Sequence, residues 1–247
     1  MTEGIYSRDF IVQPDHCDMA ATMSPLAAFI AFQAISAEHA QELGIGVSAM
    51  MKSGKFWVIT HNRIEFTEEA HLLDVLKVST WPFPCGPEDT RVYRGYTLNK
   101  ADKLLAYGYT QWAITGADGG AVPFKESGFP EDYQFMDIKK PSNELEWFID
   151  DFTQEDKISE VTVRSTGIDF GRHLNNIAYI RMMLDQFPAK YITARSIQAI
   201  EIHYGHPCKE GETLSVYRKQ EGNTFRYAIR KTDGNNAALG SVKFRAQ

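Results

Sequence analysis

One stretch of this sequence gathers side chains able to move protons and to hold a carbonyl group: Asp169, His173, Asn175, Asn176 and Tyr179, in the spacing D-x-x-x-H-x-N-N-x-x-Y. Asp169 stands just before an apolar run of helical period. A carboxylate placed there lies near unpaired backbone N–H groups and the positive end of the helix dipole, so it stays ionised and can accept a proton or orient a water. A lone aspartate in such a place more often only braces the turn. His173 exchanges protons near neutral pH, and beside Asp169 it could activate water or protonate a leaving group. The plainer alternative is a satisfied structural histidine. Asn175 and Asn176 could orient the imidazole, and at least one of them should cap the helix. Tyr179 should pack against a sheet with its hydroxyl at the edge. Backbone N–H groups from Gly171 to Leu174 could receive an oxyanion, Gly171 permitting close approach.

These residues need an element to hold them, and the chain provides it twice. Asp18-Met19-Ala20-Ala21-Thr22-Met23-Ser24-Pro25 echoes Asp169-Phe170-Gly171-Arg172-His173-Leu174-Asn175-Asn176, each after a short apolar strand and before a helix. The first helix is expected from Pro25 to Leu43, with Leu26, Phe29, Ile30, Ala34 and Ala37 at helical spacing and Ser24 as cap. The second is expected from Asn176 to Phe187, stopped by Pro188. Strands follow each helix: Phe56–Phe66, Leu73–Trp81, Thr90–Asn99 and Leu104–Thr115 in the first half, and Ser196–Tyr204, Thr213–Gln220, Thr224–Lys231 and Ala237–Arg245 in the second. Ile64-Glu65 echoes Ile200-Glu201, and Ala106-Tyr107-Gly108 echoes Ala238-Leu239-Gly240. Each half is thus a strand, a helix and an antiparallel meander, an α+β layer with one helix over one face of a sheet. The position of His173 is occupied by Thr22 in the first half, so the duplication predicts one working site.

Composition narrows the function. A net charge of -6 argues against general nucleic-acid binding. Docking of an acidic partner would need a local basic patch, for which Arg172, Arg181, Lys190, Arg195 and the pair Lys139-Lys140 are candidates. The three cysteines show no metal-knuckle or disulfide spacing, so free thiols in a reducing cytosol are expected. The N-terminal residues show no signal-peptide pattern, and no apolar run approaches the ~20 residues of a membrane span.

The D-x-x-x-H-x-N-N-x-x-Y pattern resembles that of hotdog thioesterases. Trp57-Val58-Ile59, Asn62-Arg63-Ile64-Glu65, Asp74, Val78-Ser79-Thr80-Trp81-Pro82 and Leu104-Leu105-Ala106 with Trp112 resemble the first half of acyl-acyl carrier protein (acyl-ACP) thioesterases, bacterial type. The resemblance implies a tandem double hotdog, two antiparallel sheets each wrapped around a long central helix. It implies an N-terminal hotdog over residues 1–118 binding the acyl chain, a linker over 119–156 and a catalytic C-terminal hotdog over 157–247. The reaction implied is hydrolysis of fatty acyl-ACP by water activated at Asp169 and His173, with Asn175 in the network, Gly171 and Leu174 supplying backbone donors, and no metal or organic cofactor. Phe29, Phe32, Phe56, Ile59 and Trp81 are candidates to line the acyl channel. The acyl carrier protein is the implied partner and the cytoplasm the implied location, as a monomer or homodimer. In plant members a cysteine stands where this chain has Cys208 and was a candidate nucleophile. Those members carry asparagine at the position of Gly171 and glutamate at that of Pro207. Asp169 with His173 would then be the core, helped by His203, His206 or Glu201, and Cys208 would be a buried or pocket thiol first and a nucleophile second. Competing readings are an acyl-CoA thioesterase, a hotdog dehydratase or hydratase, and a non-catalytic acyl-binding protein.

Overall fold

The computed structural model describes residues 4–139 and 145–246; Lys140, the second of the paired lysines, lies outside them. The chain divides into two compact units, one of Met1–Cys17 with Ala21–Glu144, the other of Asp18–Ala20 with Leu145–Gln247. The first holds β1 (Tyr6–Ile11), α1 (Pro25–Glu42), α2 (Val47–Lys52), β2 (Lys55–Phe66), β3 (Val75–Pro82), β4 (Val92–Lys100), β5 (Lys103–Gly116) and the short β6 (Ala121–Val122). The second holds β7 (Lys157–Thr162), α3 (Asn176–Leu184), α4 (Ala189–Thr193), β8 (Ile197–Tyr204), β9 (Thr213–Glu221), β10 (Thr224–Lys231) and β11 (Asn236–Phe244). Strand order is β1-β3-β4-β5-β2 in the first and β7-β9-β10-β11-β8 in the second, antiparallel throughout, with β6 beside β5. The two orders are the same once β1 is matched with β7.

A glycine marks where each helix sinks onto its sheet. A Cβ on Gly108 of β5 would come 2.5 Å from the Phe32 ring of α1. A Cβ on Gly240 of β11 would come 2.9 Å from Sδ of Met183 in α3 and 2.7 Å from the Glu201 carbonyl oxygen. Those glycines also correct the register of the repeat. Gly108 stands opposite Ile64, and Gly240 stands opposite Ile202. The counterpart of Ile64 is therefore Ile202, two residues beyond the Ile200-Glu201 echo. A shift of two keeps every side chain on its face, so alternation alone does not reveal it.

The buried face of α1 differs from the expected stripe. Ala28, Phe29, Phe32, Ile35, Ser36 and His39 are buried, whereas Ile30 and Ala37 are exposed. Apolar and small residues run almost all the way round this helix, so their spacing specifies no single face. Ser24 occupies the N-cap position but its hydroxyl makes no capping bond. In the second unit the helix is shorter than expected: α3 ends at Leu184, the Phe187 N–H turns back to the Leu184 carbonyl, and α4 starts after Pro188.

The segment between the repeats is not uniformly free chain. Tyr133 is buried with Leu43, Ile45, Met50 and Ile114, and its hydroxyl donates to the Gly4 carbonyl at 2.9 Å. On the other side, Arg226 of β10 holds Asp151 at 2.8 Å and Arg230 holds Asp150. Among the described residues no helix is long and apolar enough to cross a membrane.

Candidate active site

The loop before α3 is a tight reversal built from its own backbone. The Arg172 N–H donates to the Asp169 carbonyl at 2.9 Å, and the Asp169 N–H donates to the His173 carbonyl at 3.0 Å. Arg172 takes a left-handed φ of 62°, as expected for the last residue of a three-residue loop with a bulge. Ile168 and Leu174 pair across its base. The Asn175 N–H then donates to the Gly167 carbonyl at 2.8 Å, and α3 begins at Asn176. The first repeat copies four of these features: Cys17 pairs with Met23, Ala21 has φ 59°, the Ser24 N–H donates to the His16 carbonyl at 2.8 Å, and α1 begins at Pro25.

Asp169 is engaged with this loop. One carboxylate oxygen accepts the Gly171 N–H at 2.8 Å and the other accepts the Asn175 amide at 3.5 Å. Asp18 accepts the Ala20 N–H at 2.9 Å in the same way. Asn175 is the true N-cap, its side-chain oxygen accepting the Ile177 N–H at 2.8 Å. The Asn176 side chain makes no hydrogen bond among the described residues, while its carbonyl accepts the Tyr204 hydroxyl at 3.3 Å. His173 is half-buried, and its imidazole likewise makes no hydrogen bond or ion pair among the described residues. The chemistry-bearing residues are thus brought to one turn, with Asp169 and Asn175 bonded to the scaffold and His173 and Asn176 left uncommitted.

Two of the expected oxyanion donors are already used. The Gly171 N–H is held by Asp169, and the Leu174 N–H donates to the Cys208 carbonyl at 2.8 Å. The backbone N–H groups of His173, inside the expected stretch, and of Asn176, beyond it, make no hydrogen bond among the described residues.

Cys208 is fully buried, its thiol against the His206 carbonyl at 3.7 Å and the Tyr179 side chain. Burial pushes the thiol up, with Tyr179 opposing in part. Burial likewise raises the Tyr179 and Tyr204 hydroxyls. A buried, protonated thiol is a poor nucleophile. The backbone of Cys208 braces the start of α3, as the Ala70 carbonyl does for Met23 in the first repeat. Of the groups expected to compensate for Pro207, Glu201 and His203 alternate with Ile202, which shares the α3 side with Gly240. They therefore point to the opposite face. The Glu201 carboxylate accepts the Glu146 N–H at 2.5 Å. His206 and Pro207 are exposed, and the Pro207 carbonyl accepts from Lys231 at 3.1 Å.

In the first unit, Phe29, Phe32 and Ile59 are buried, and Phe32 stacks on Tyr96 of β4 at 4.8 Å between ring centres. Trp81 is buried on the other face of the sheet, where a Cβ on Gly95 would meet its indole at 2.6 Å. Phe56 is 38% exposed and sits outside the core.

Two such units, each a helix over one face of an antiparallel meander in the same strand order, define a tandem hotdog protein. The solved acyl-ACP thioesterase of Bacteroides thetaiotaomicron has this fold over 98% of both chains, with a TM-score of 0.83 at 21% identity. The 12:0-ACP thioesterase of Umbellularia californica matches 100% of this chain and 99% of its own, with a TM-score of 0.81 at 15% identity. The chain belongs to the acyl-ACP thioesterase family: residues 3–118 match its N-terminal domain and residues 151–246 its C-terminal domain. It is accordingly a thioester hydrolase of the acyl-ACP class. The chloroplastic oleoyl-acyl carrier protein thioesterase of Coriandrum sativum is 21% identical over 96% of this chain and 69% of its own length. The palmitoyl-acyl carrier protein thioesterase of Gossypium hirsutum is 22% identical over 98% of this chain and 64% of its own length.

Proposed function

We propose that the thioester is hydrolysed at the turn that starts α3, with His173 as the proton-transferring group. The observation that carries this is the comparison of the two repeats. Their turns share the residue pair at the base, the left-handed residue, the backbone bond of the helix-cap residue and an aspartate that accepts the N–H two residues on, yet Thr22 stands in one and an uncommitted imidazole in the other. A histidine the scaffold does not need is the group to expect at the chemistry.

In this reading the imidazole takes a proton from water as the water oxygen attacks the thioester carbonyl carbon. The negative charge arising on the carbonyl oxygen is met by the free N–H groups of His173 and Asn176, near the positive end of α3, and by the Asn176 amide. Collapse of the tetrahedral intermediate breaks the carbon–sulfur bond. The imidazolium returns its proton to the departing phosphopantetheine sulfur, leaving free fatty acid and holo-carrier protein. Asp169 acts by holding the turn in shape. Cys208 forms no acyl intermediate. The first unit takes the acyl chain between α1 and its sheet, beside Phe29, Phe32 and Ile59. Arg172, Arg181 and Lys190 are exposed cations suited to an acidic carrier protein. The free cysteines fit a reducing cytoplasm.

Release of free thiol from one acyl group carried on the carrier protein or on coenzyme A tests the substrate. The expected result is a kcat/KM at least about tenfold higher for the carrier-protein ester. A higher value for the coenzyme A ester overturns this assignment.

A further inference from the structure

The layer between α1 and its sheet is not wholly apolar. Pairing across the sheet places Asn62 of β2, Thr110 of β5 and Arg94 of β4 in one row, side by side on the face that α1 covers. Arg94 is buried, and among the described residues only its Nη1 is engaged, donating to Nδ1 of His39 on α1 at 2.9 Å and to Oγ1 of Thr80 at 3.2 Å. No carboxylate pairs with it among the described residues.

The bond to His39 settles that ring's tautomer. A guanidinium has only hydrogens to give, so Nδ1 of His39 accepts and Nε2 carries the proton. Burial and the Arg94 charge push the His39 imidazole down to about 3, so the ring is neutral. Its Nε2–H is buried and has no acceptor among the described residues, and Oδ1 of Asn62 is buried and has no donor among them. The cluster thus holds a cation without an anion, an N–H without an acceptor and an amide oxygen without a donor. Such groups are costly to bury unpaired.

The second unit shows that the fold does not require them. In each unit the row is located by the helix-contacting glycine: Tyr96–Gly108–Ile64 in one, Tyr227–Gly240–Ile202 in the other. One step along, the first unit has Arg94, Thr110 and Asn62, where the second has Phe225, Val242 and Ile200, all buried. The same architecture closes with an entirely apolar row.

We infer that Arg94, His39 and Asn62 form a recognition site for an oxygen-bearing group, a carboxylate above all, carried on the acyl chain away from the thioester. A carboxylate would neutralise Arg94 and accept from Nε2 of His39, while a hydroxyl could also donate to Oδ1 of Asn62. This rests on the reading above that the acyl chain enters the first unit.

The test uses the full chain and three acyl groups of equal length ending in methyl, hydroxyl or carboxylate. Each is prepared as a carrier-protein thioester for turnover and as a non-hydrolysable pantetheine amide for calorimetric binding. Wild type should bind the carboxylate-ended amide at least about tenfold tighter than the methyl-ended one, with the hydroxyl between. Arg94→Met should abolish that order while turnover of the methyl-ended thioester persists. Should Arg94→Met fail to fold, His39→Gln and Asn62→Leu read the same preference, which should narrow in both. Equal binding of all three amides by wild type, a preference kept by Arg94→Met, or no binding of any amide overturns the inference. Turnover of the methyl-ended thioester shows separately whether the hydrolase reading stands.

Discussion

At the residue scale, Cys208 and His39 give the sharpest expectations. The Cys208 thiol is fully buried, raised by its burial and packed between Tyr179 and the His206 carbonyl, and in the proposal above it is structural. Cys208→Ala should keep kcat within about threefold and lower stability by about 1 kcal/mol, measured by steady-state kinetics and urea denaturation. Loss of nearly all activity in a folded variant would restore the thiol as nucleophile. His39 titrates near 6.5 when unfolded and is held down to about 3 when folded, by burial first and Arg94 second. The unfolded state therefore binds more protons between those values, so the contribution of His39 is complete above about 6.5 and is lost as pH falls towards 3. Denaturation midpoints measured across this window should decline, and His39→Gln should decline less. An identical decline in both proteins would show that His39 is not the group responsible. Cys208 is expected from the sequence to be a buried or pocket thiol first, but its full burial and the shift of His39 are not legible there, because what sets these two side chains apart is depth. Cys208 follows an exposed proline and His39 lies on a helix with apolar residues on nearly every side.

At the element scale, the glycines that receive the helices are the most sensitive points. A Cβ on Gly240 would press on the Glu201 carbonyl oxygen at 2.7 Å as well as on Met183, whereas one on Gly108 would meet the Phe32 and Tyr96 rings. Backbone cannot move aside as a side chain can. Gly240→Ala should destabilise by about 1–3 kcal/mol, measured by chemical denaturation. An unchanged midpoint would mean that the second helix does not rest on its sheet as described. The repeat, the strand boundaries and the start of each helix were legible in the residues, because strand alternation and turn chemistry are local. β10 runs over Thr224–Lys231 as expected, and the other seven expected strands end within two residues of theirs. What was not legible depends on packing at a distance. The two-residue register shift between Ile64 and Ile202 is invisible to period-two alternation, and the buried side of α1 was set by its sheet. Trp81 went to the far face of β3 because Gly95 opens a slot for it there.

At the scale of the whole molecule, one architecture is used twice with opposite chemistry. The second unit spends its polar groups at the mouth of α3 and keeps an apolar row beneath the helix. The first has threonine at the mouth and a buried arginine, histidine and asparagine beneath. Of the proposed site, the turn, His173 and the donor stretch from Gly171 to Leu174 can be singled out in the sequence, but which of those N–H groups the turn consumes cannot. Those of Gly171 and Leu174 are occupied, while those of His173 and Asn176 have no partner among the described residues. The most direct test of the hydrolytic centre is single-turnover hydrolysis of acyl-ACP by wild type and by His173→Ala, with melting temperatures checked alongside. Removal of the imidazole should slow the chemical step roughly a hundred- to ten-thousandfold while the fold and acyl-ACP affinity persist. A correctly folded His173→Ala protein that turns over at the wild-type rate would place the chemistry elsewhere.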